Sequence, residues 1–87
     1  MYLIVTRAFP PELGGMQSLM WGLTKELSKN FLIKVFADYH DNHKEFDKKE
    51  SFSIERVGGI KLLRKYRKAQ LINEYIKENK IYGIIAD

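Results

Sequence analysis

The chain has 87 residues and no cysteine, and its 15 lysine and arginine residues against 11 acidic residues give a net charge of +4. This length accommodates one domain or part of one, and the lack of cysteine excludes disulfides and thiolate metal ligands. No apolar run approaches the roughly 18–20 residues that span a bilayer, and the opening apolar run is too short for a signal peptide. We therefore expect a cytosolic protein.

Four short runs of apolar, β-branched and aromatic residues predict β-strands. They span Met1–Thr6, Leu32–Ala37, Phe52–Val57 and Tyr82–Ala86. The first run is almost continuously apolar, which is typical of a strand that is buried on both faces. Between the second and third strands, the polar segment Asp38–Glu50 predicts an exposed loop.

Two segments repeat apolar residues at helical spacing and predict amphipathic helices. The first helix is expected over Met16–Lys29, and the second from Ile60 to about Asn79. The residues of the first helix that we expect to face the sheet are Met16, Leu19, Met20, Leu23 and Leu27. Those of the second helix are Leu62, Tyr66, Ala69, Ile72 and Ile76.

The predicted order β-α-β-β-α-β favours an α/β fold in which a Rossmann-like parallel sheet carries helices on its faces. With right-handed crossovers, we expect strand order 3-2-1-4 and two helices that lie on opposite faces or partly share one. The apolar run at Tyr82–Ala86 would leave an uncovered sheet edge in a complete domain. We therefore expect residues 1–87 to form a single partial domain, the N-terminal piece of a longer protein.

The segment Arg7–Gly15, between the first strand and the first helix, contains Pro10-Pro11 and Gly14-Gly15, which predict a loop. In a parallel sheet this position lies beyond the carboxyl ends of the strands, where ligands bind. Glycines let backbone N–H groups approach a ligand closely, and the helix start that follows favours a phosphate or a carboxylate. A plain glycine-rich turn that only starts the helix is the alternative.

The string FPPELGG at Phe9–Gly15, followed by an amphipathic helix and a strand, resembles the start of family-four glycosyltransferases. These are retaining enzymes of the GT-B fold with two Rossmann-like domains. The resemblance implies an incomplete N-terminal, acceptor-side half-domain of an enzyme that transfers a hexose from a nucleotide-diphosphate sugar to a sugar or lipid-linked acceptor. The positions that match the donor and acceptor cleft are Gly14, Gly15, Met16 and Gln17. Asp87, at the carboxyl end of the last predicted strand, would face the same cleft or cap whatever follows.

The same resemblance implies that this chain carries no catalytic residue and needs no protein-bound metal or other cofactor. The family's main donor-binding residues, including a pair of glutamates, lie in a C-terminal domain, and its N-domain histidine follows a later strand. His40 and His43 do not match that histidine. We therefore expect the chain alone to be inactive.

Two further features have both a functional and a structural interpretation. His40 and His43, with Glu45 and Asp47 nearby, are acceptable zinc ligands, but they fall in a predicted loop, and a solvated loop is favoured. Trp21 lies off the apolar stripe of the first helix. Its ring would either stack on a sugar or pack, partly buried, against the sheet or a neighbouring loop.

The excess positive charge is concentrated in one run of the second helix, formed by Lys61, Arg64, Lys65, Arg67 and Lys68. Cations in the N-terminal half of a helix oppose its dipole. The run is therefore either a solvated face or an anion patch opposite the apolar stripe, with anionic lipid at the inner face of a membrane as the favoured partner. No nucleic-acid module is recognisable. Two non-enzymatic alternatives stay open: a small anion- or nucleotide-binding module, and a basic surface-association domain.

Overall fold

The computed structural model describes residues 1–86, which form four strands and three helices. The strands are β1 (Tyr2–Val5), β2 (Ile33–Asp38), β3 (Ser53–Val57) and β4 (Gly83–Ala86). The helices are α1 (Gly15–Ser28), α2 (His43–Lys48) and α3 (Lys61–Glu78). The α/β class is confirmed, and every predicted strand and both predicted helices agree with the structure to within about one residue at each end.

The prediction of a loop over Asp38–Glu50 is wrong, because α2 occupies the centre of this segment. Phe46 holds α2 in place: its ring centroid lies 6.0 Å from that of Phe9 and 5.6 Å from that of Trp21. A six-residue helix with one apolar anchor is too short to show helical periodicity in the sequence. The polar composition of the segment therefore concealed it.

All four strands are parallel and lie in the order β3-β2-β1-β4, which confirms the predicted 3-2-1-4 arrangement. The register pairs Val5 of β1 with Phe36 of β2 and with Ala86 of β4, and it pairs Asp38 of β2 with Val57 of β3. The carboxyl ends of the strands therefore meet along one side of the sheet, which we call the carboxyl edge.

The two long helices cover opposite faces of the sheet, in agreement with the first of the two predicted arrangements. Neighbouring residues of a strand point to opposite faces. Val35 of β2 belongs to the core cluster that contains Met20 of α1, whereas the Phe36 ring packs edge-on against Tyr75 of α3 at a centroid distance of 5.6 Å. Leu3 and Ile4 of β1 are both fully buried, so the prediction that this strand is covered on both sides is confirmed.

The predicted apolar stripe of α1 is wrong in part, because the helix is rotated about its axis. Met20 is buried and Leu27 packs against the core. The other members of the stripe are exposed, namely Met16, Leu19 and Leu23. Thr24 takes their place at the sheet, where its hydroxyl donates a hydrogen bond of 2.7 Å to the carbonyl of Met20 and so is satisfied although buried.

The predicted apolar stripe of α3 is wrong as well. Leu62 is 80% exposed and Tyr66 is 76% exposed, whereas Lys68, at 8% exposure, turns toward the sheet. Of the remaining stripe residues, Ala69 and Ile76 are exposed and Ile72 is half-buried. The reason is electrostatic, because an ion pair at the carboxyl end of β2 fixes the rotation of the helix, as described below. None of the helices within residues 1–86 has both the length and the apolar composition to cross a membrane.

Candidate binding cleft

The carboxyl ends of β1 and β2 open into a cleft with two adjoining cavities. Both cavities are lined by Arg7, Asp38 and Arg64. The loop pocket, of about 520 Å³, adds residues from the segment before α1 and from the end of β2, namely Ala8, Glu12, Met16 and Tyr39. The α3 pocket, of about 440 Å³, adds three lysines and four small or apolar residues, namely Lys61, Lys65, Lys68, Val5, Thr6, Ala69 and Ile72. Both volumes fall in the range of small-molecule sites, about 300–1,000 Å³.

Gly14 and Gly15 start α1 at the carboxyl edge, as the sequence predicts. Gly14 is the N-cap residue, has an extended backbone and offers no side-chain cap, so the first N–H groups of α1 lack a side-chain acceptor. A Cβ atom on Gly14 would overlap the Gln17 side chain, whereas a Cβ atom on Gly15 would meet nothing within 4 Å. The start of the helix therefore faces open space.

The other predicted cleft residues occupy different positions. Met16 lines the loop pocket and is about half exposed. Gln17 lies beside it, and its amide donates a 3.0 Å hydrogen bond to the Glu12 carboxylate. Asp87 lies outside the described residues.

Asp38, the last residue of β2, organises the cleft. Its Oδ1 lies 2.5 Å from Lys68 Nζ and its Oδ2 lies 3.4 Å from Arg64 Nε. Lys68 Nζ also donates to the Thr6 carbonyl at 3.3 Å, so the buried ammonium group has two partners. A buried charge without a partner is strongly destabilising. This ion pair therefore accounts for the rotation of α3 that the apolar pattern did not predict.

The structure gathers four of the five predicted patch cations around the α3 pocket, and Arg7 joins them from the loop after β1. The four are Lys61, Arg64, Lys65 and Lys68, while Arg67 is exposed elsewhere on the helix. The expectation that the whole run lies opposite the sheet is wrong for Arg64 and Lys68, because Asp38 draws both toward the strand ends. Within the described part of the chain, five cations and a single carboxylate line this pocket.

A second charged cluster lies at the same edge, between α2 and the proline loop. The Arg56 side chain, only 4% exposed, binds Asp47 in a bidentate pair, with Nη2 at 2.8 Å from Oδ1 and Nε at 3.2 Å from Oδ2. Its guanidinium also donates to the carbonyl of Pro10 at 2.6 Å and to that of Asp38 at 3.2 Å. Arg56 thus ties α2, the loop before α1 and the end of β2 together.

Two open alternatives from the sequence can now be described. His43 Nδ1 lies 3.1 Å from the Asp47 carboxylate that pairs with Arg56, and residues 1–86 contain no group of three His, Cys, Asp or Glu side chains placed to hold a metal ion. Trp21 is partly buried against Phe46, and its Nε1 donates to Glu50 at 3.0 Å. The packing interpretation of Trp21 therefore agrees with the structure.

Among the residues that the sequence analysis missed are Arg7 and Asp38 of the cleft and Arg56 beside it. Asp38 had a usable signal, because an acidic residue directly after a predicted strand lies at the carboxyl edge. Arg56 had none, since a charged residue in a short strand is common and its partners are distant in sequence.

No protein-family model, characterised protein or solved structure matches the chain. The likeness to glycosyltransferases therefore rests on the residues of the Phe9–Gly15 loop and on the order of the elements.

Proposed function

We propose that the chain is the N-terminal, acceptor-side domain of a retaining glycosyltransferase of the GT-B type. In this proposal a nucleotide-diphosphate sugar and a sugar or lipid-linked acceptor meet at the carboxyl edge. The observation that carries it is the path of the Phe9–Gly15 loop, which leads β1 into a helix start without a side-chain cap beside Arg7 and Met16. The parallel 3-2-1-4 sheet gives this loop the position at which open α/β sheets bind ligands.

The proposed roles follow from charge and access. The first N–H groups of α1 and the guanidinium groups of Arg7 and Arg64 would stabilise a diphosphate. Asp38 holds Arg64 at the strand ends. Gly15 leaves the approach to the helix start open. No residue of this chain is assigned to bond making or bond breaking, so transfer would require a donor-binding domain in addition.

The test is an NMR titration of the ¹⁵N-labelled chain with UDP-, GDP- and ADP-sugars. We expect weak binding, with a Kd of about 1 mM, and shifts centred on Gly15 and Met16. Gly15→Val should weaken binding about tenfold while the remaining spectrum is unchanged, since the new side chain enters open space. Gly22→Val is the matched control, because Gly22 also lies in α1 and a Cβ atom added there would have no neighbour within 4 Å.

The proposal is wrong if no nucleotide sugar shifts these signals, or if the folded Gly15→Val protein binds as well as the parent sequence. In an enzyme that contains this domain together with its donor-binding domain, the same variant should lower donor turnover.

A second candidate, association with an anionic membrane surface, is favoured by the outer side of α3. The rotation of the helix leaves Leu62, Leu63 and Tyr66 exposed. Beside them lie Arg67, which is exposed too, and Lys61 and Lys65, which are exposed although they also line the α3 pocket. Apolar and basic side chains mixed on one exposed helix are typical of helices that lie in a membrane interface.

Vesicle co-sedimentation tests this candidate. The triple variant Lys61→Gln, Lys65→Gln, Arg67→Gln should lose binding to anionic vesicles at low salt, and Arg64 and Lys68 are kept because they hold Asp38. Lys44, Lys48 and Lys49 changed to Gln give the control with the same loss of charge. Binding should also weaken steeply as salt is raised. Equal losses in the two triple variants would show an effect of net charge alone and would refute a role for α3.

A further inference from the structure

The α3 pocket contains more positive charge than its own carboxylate offsets. Asp38 pairs with Arg64 and Lys68, which leaves Arg7, Lys61 and Lys65 at the same cavity without a second carboxylate among the lining residues that the structure describes. Like charges held together raise the local potential and attract anions.

The positions of these cations on α3 are costly for the helix itself. Lys61, Arg64 and Lys65 lie in its first two turns, and the first turn holds no acidic residue. Cations there oppose the helix dipole. A sequence that breaks such a local rule without a gain in packing is expected at functional sites, and a bound anion would offset the cost.

Part of the pocket lining is apolar, and we call this part the floor. Val5 of β1 and Ala69 and Ile72 of α3 line the cavity beside the cations. An inorganic ion would leave this surface in contact with water, whereas a ligand with an apolar group would cover it.

We propose that the α3 pocket binds a small phosphate monoester that carries an apolar substituent. A phosphate monoester has a charge of roughly −1.5 to −2 at neutral pH and three strong acceptor oxygens. These three oxygens can accept hydrogen bonds from several ammonium and guanidinium groups at once, whereas a ligand with a single carboxylate offers only two oxygens. The apolar substituent packs on the floor formed by Val5, Ala69 and Ile72.

This site adjoins the proposed nucleotide-sugar site and shares Arg7, Asp38 and Arg64 with it, whereas its other lining residues belong to the α3 pocket alone. The phosphate-monoester ligand lies under α3, while the sugar donor is assigned to the loop pocket and the start of α1. The proposal therefore does not depend on glycosyltransferase activity, and the Gly15→Val variant should leave it unchanged.

The experiment is calorimetric titration of the 87-residue chain in a buffer free of phosphate and sulfate. The probes are n-butyl phosphate, inorganic phosphate and butan-1-ol. Butyl phosphate should bind about fivefold or more tightly than inorganic phosphate, because only the ester covers the apolar floor. Butan-1-ol should not bind measurably.

Two variants locate the binding. Lys61→Gln/Lys65→Gln should weaken butyl phosphate binding about tenfold, as expected for the loss of two cation–anion contacts made by exposed lysines. Ala69→Leu fills the floor without a change of charge, so it should weaken butyl phosphate binding and leave inorganic phosphate binding unchanged. Arg67→Gln/Lys77→Gln removes the same charge from the same helix outside the pocket and should change affinity by less than about twofold.

Three outcomes would overturn the proposal. They are equal losses in the two double variants, equal affinities for butyl phosphate and inorganic phosphate, and binding to phosphatidic acid vesicles without binding to soluble butyl phosphate. The last result would assign the phosphate recognition to a membrane surface instead of the pocket. Circular dichroism of each variant shows whether it has folded before its affinity is compared.

Discussion

Two groups of charged side chains lie at the carboxyl edge, and they differ in how their charges are balanced. In the Arg56–Asp47 cluster, one buried guanidinium meets one carboxylate, and the same guanidinium donates to the carbonyls of Pro10 and Asp38. In the α3 pocket, five cations and one carboxylate, Asp38, line a cavity of about 440 Å³, and two of the cations pair with Asp38. The first cluster is balanced within the protein, whereas the second keeps three cations, Arg7, Lys61 and Lys65, without a further carboxylate among the lining residues that the structure describes.

The comparison shows that charge density in the sequence is a poor guide to this difference. The dense run Lys61–Lys68 suggests a binding patch in the sequence, yet two of its members, Arg64 and Lys68, connect α3 to β2 through Asp38. Nothing in the sequence marks Arg56 as important, yet it connects three segments of the carboxyl edge. A structural ion pair differs from a binding site in two ways: its charges are balanced by protein groups, and it leaves no open cavity. Only the structure reveals these two properties.

Removal of Arg56 should give the largest effect. Arg56→Met leaves the largely buried Asp47 carboxylate without its guanidinium partner and removes the two hydrogen bonds to the carbonyls of Pro10 and Asp38. We therefore expect the free energy of unfolding to fall by about 3 kcal/mol. Urea unfolding followed by circular dichroism measures it. Arg67→Met, at an exposed cation, should change stability by less than about 0.5 kcal/mol. A loss below about 1 kcal/mol for Arg56→Met would contradict the structural role of the balanced cluster.

Replacement of the two aspartates should separate stability from binding. Asp38→Asn should lower the free energy of unfolding by about 1–2 kcal/mol, yet strengthen butyl phosphate binding about threefold or more, because the competing carboxylate is gone. Asp47→Asn should lower stability without strengthening binding. Calorimetric titration gives the affinity of each variant for butyl phosphate, and urea unfolding gives the free energy of unfolding of each. If both variants had the same affinity, the distinction between the two clusters would not hold.

The turn that places α3 over its pocket gives a smaller effect. Gly59 has φ of +106°, a conformation that favours glycine, so Gly59→Ala should cost about 1 kcal/mol of stability. Gly22→Ala, in the middle of α1 with open space at its Cβ position, should stabilise the protein by about 0.5–1 kcal/mol. Thermal unfolding of the two variants should show stability changes of opposite sign. A Gly59→Ala protein as stable as the parent would indicate that the turn does not constrain α3.

The smallest effect is expected at the far end of α3, away from the excess charge. Burial, reinforced by the negative charge of Glu55, raises the pKa of Tyr75 above its ordinary value of 10.0. The folded protein thus holds the hydroxyl proton more tightly than the unfolded chain does. The free energy of unfolding should therefore fall as the pH rises above 10 through the raised pKa. Tyr75→Phe should reduce this fall, and an unchanged pH profile between pH 9 and about 11.5 would show that Tyr75 does not contribute.

The sheet could be predicted from the sequence because its signals are local. Four apolar runs define the strands, and the order of strands and helices leaves few topologies. The rotation of the helices could not be predicted in this way. The apolar stripes of α1 and α3 assume that apolar residues turn inward, but Thr24 and Lys68 are buried instead because hydrogen bonds and an ion pair satisfy them.

The same distinction between local and distant signals applies to the candidate site. The glycine loop and the start of α1 were located from the sequence because turn residues act locally. The α3 pocket could not be located in this way, since Asp38 and Lys68 are 30 residues apart and meet only because β3 returns the chain to the carboxyl edge before α3 begins. Arg56 and Pro10, 46 residues apart, show the same limit.

The most direct test of the distinction between the two clusters is a map of ¹H–¹⁵N shifts as butyl phosphate is added to the labelled 87-residue chain. If the unbalanced pocket is the binding site, the amides of Thr6, Arg7 and the first two turns of α3 will shift together with one binding constant. The amides of Asp47 and Arg56 will stay in place. Shifts of equal size at both clusters, or shifts spread over all the exposed lysines, would contradict the account.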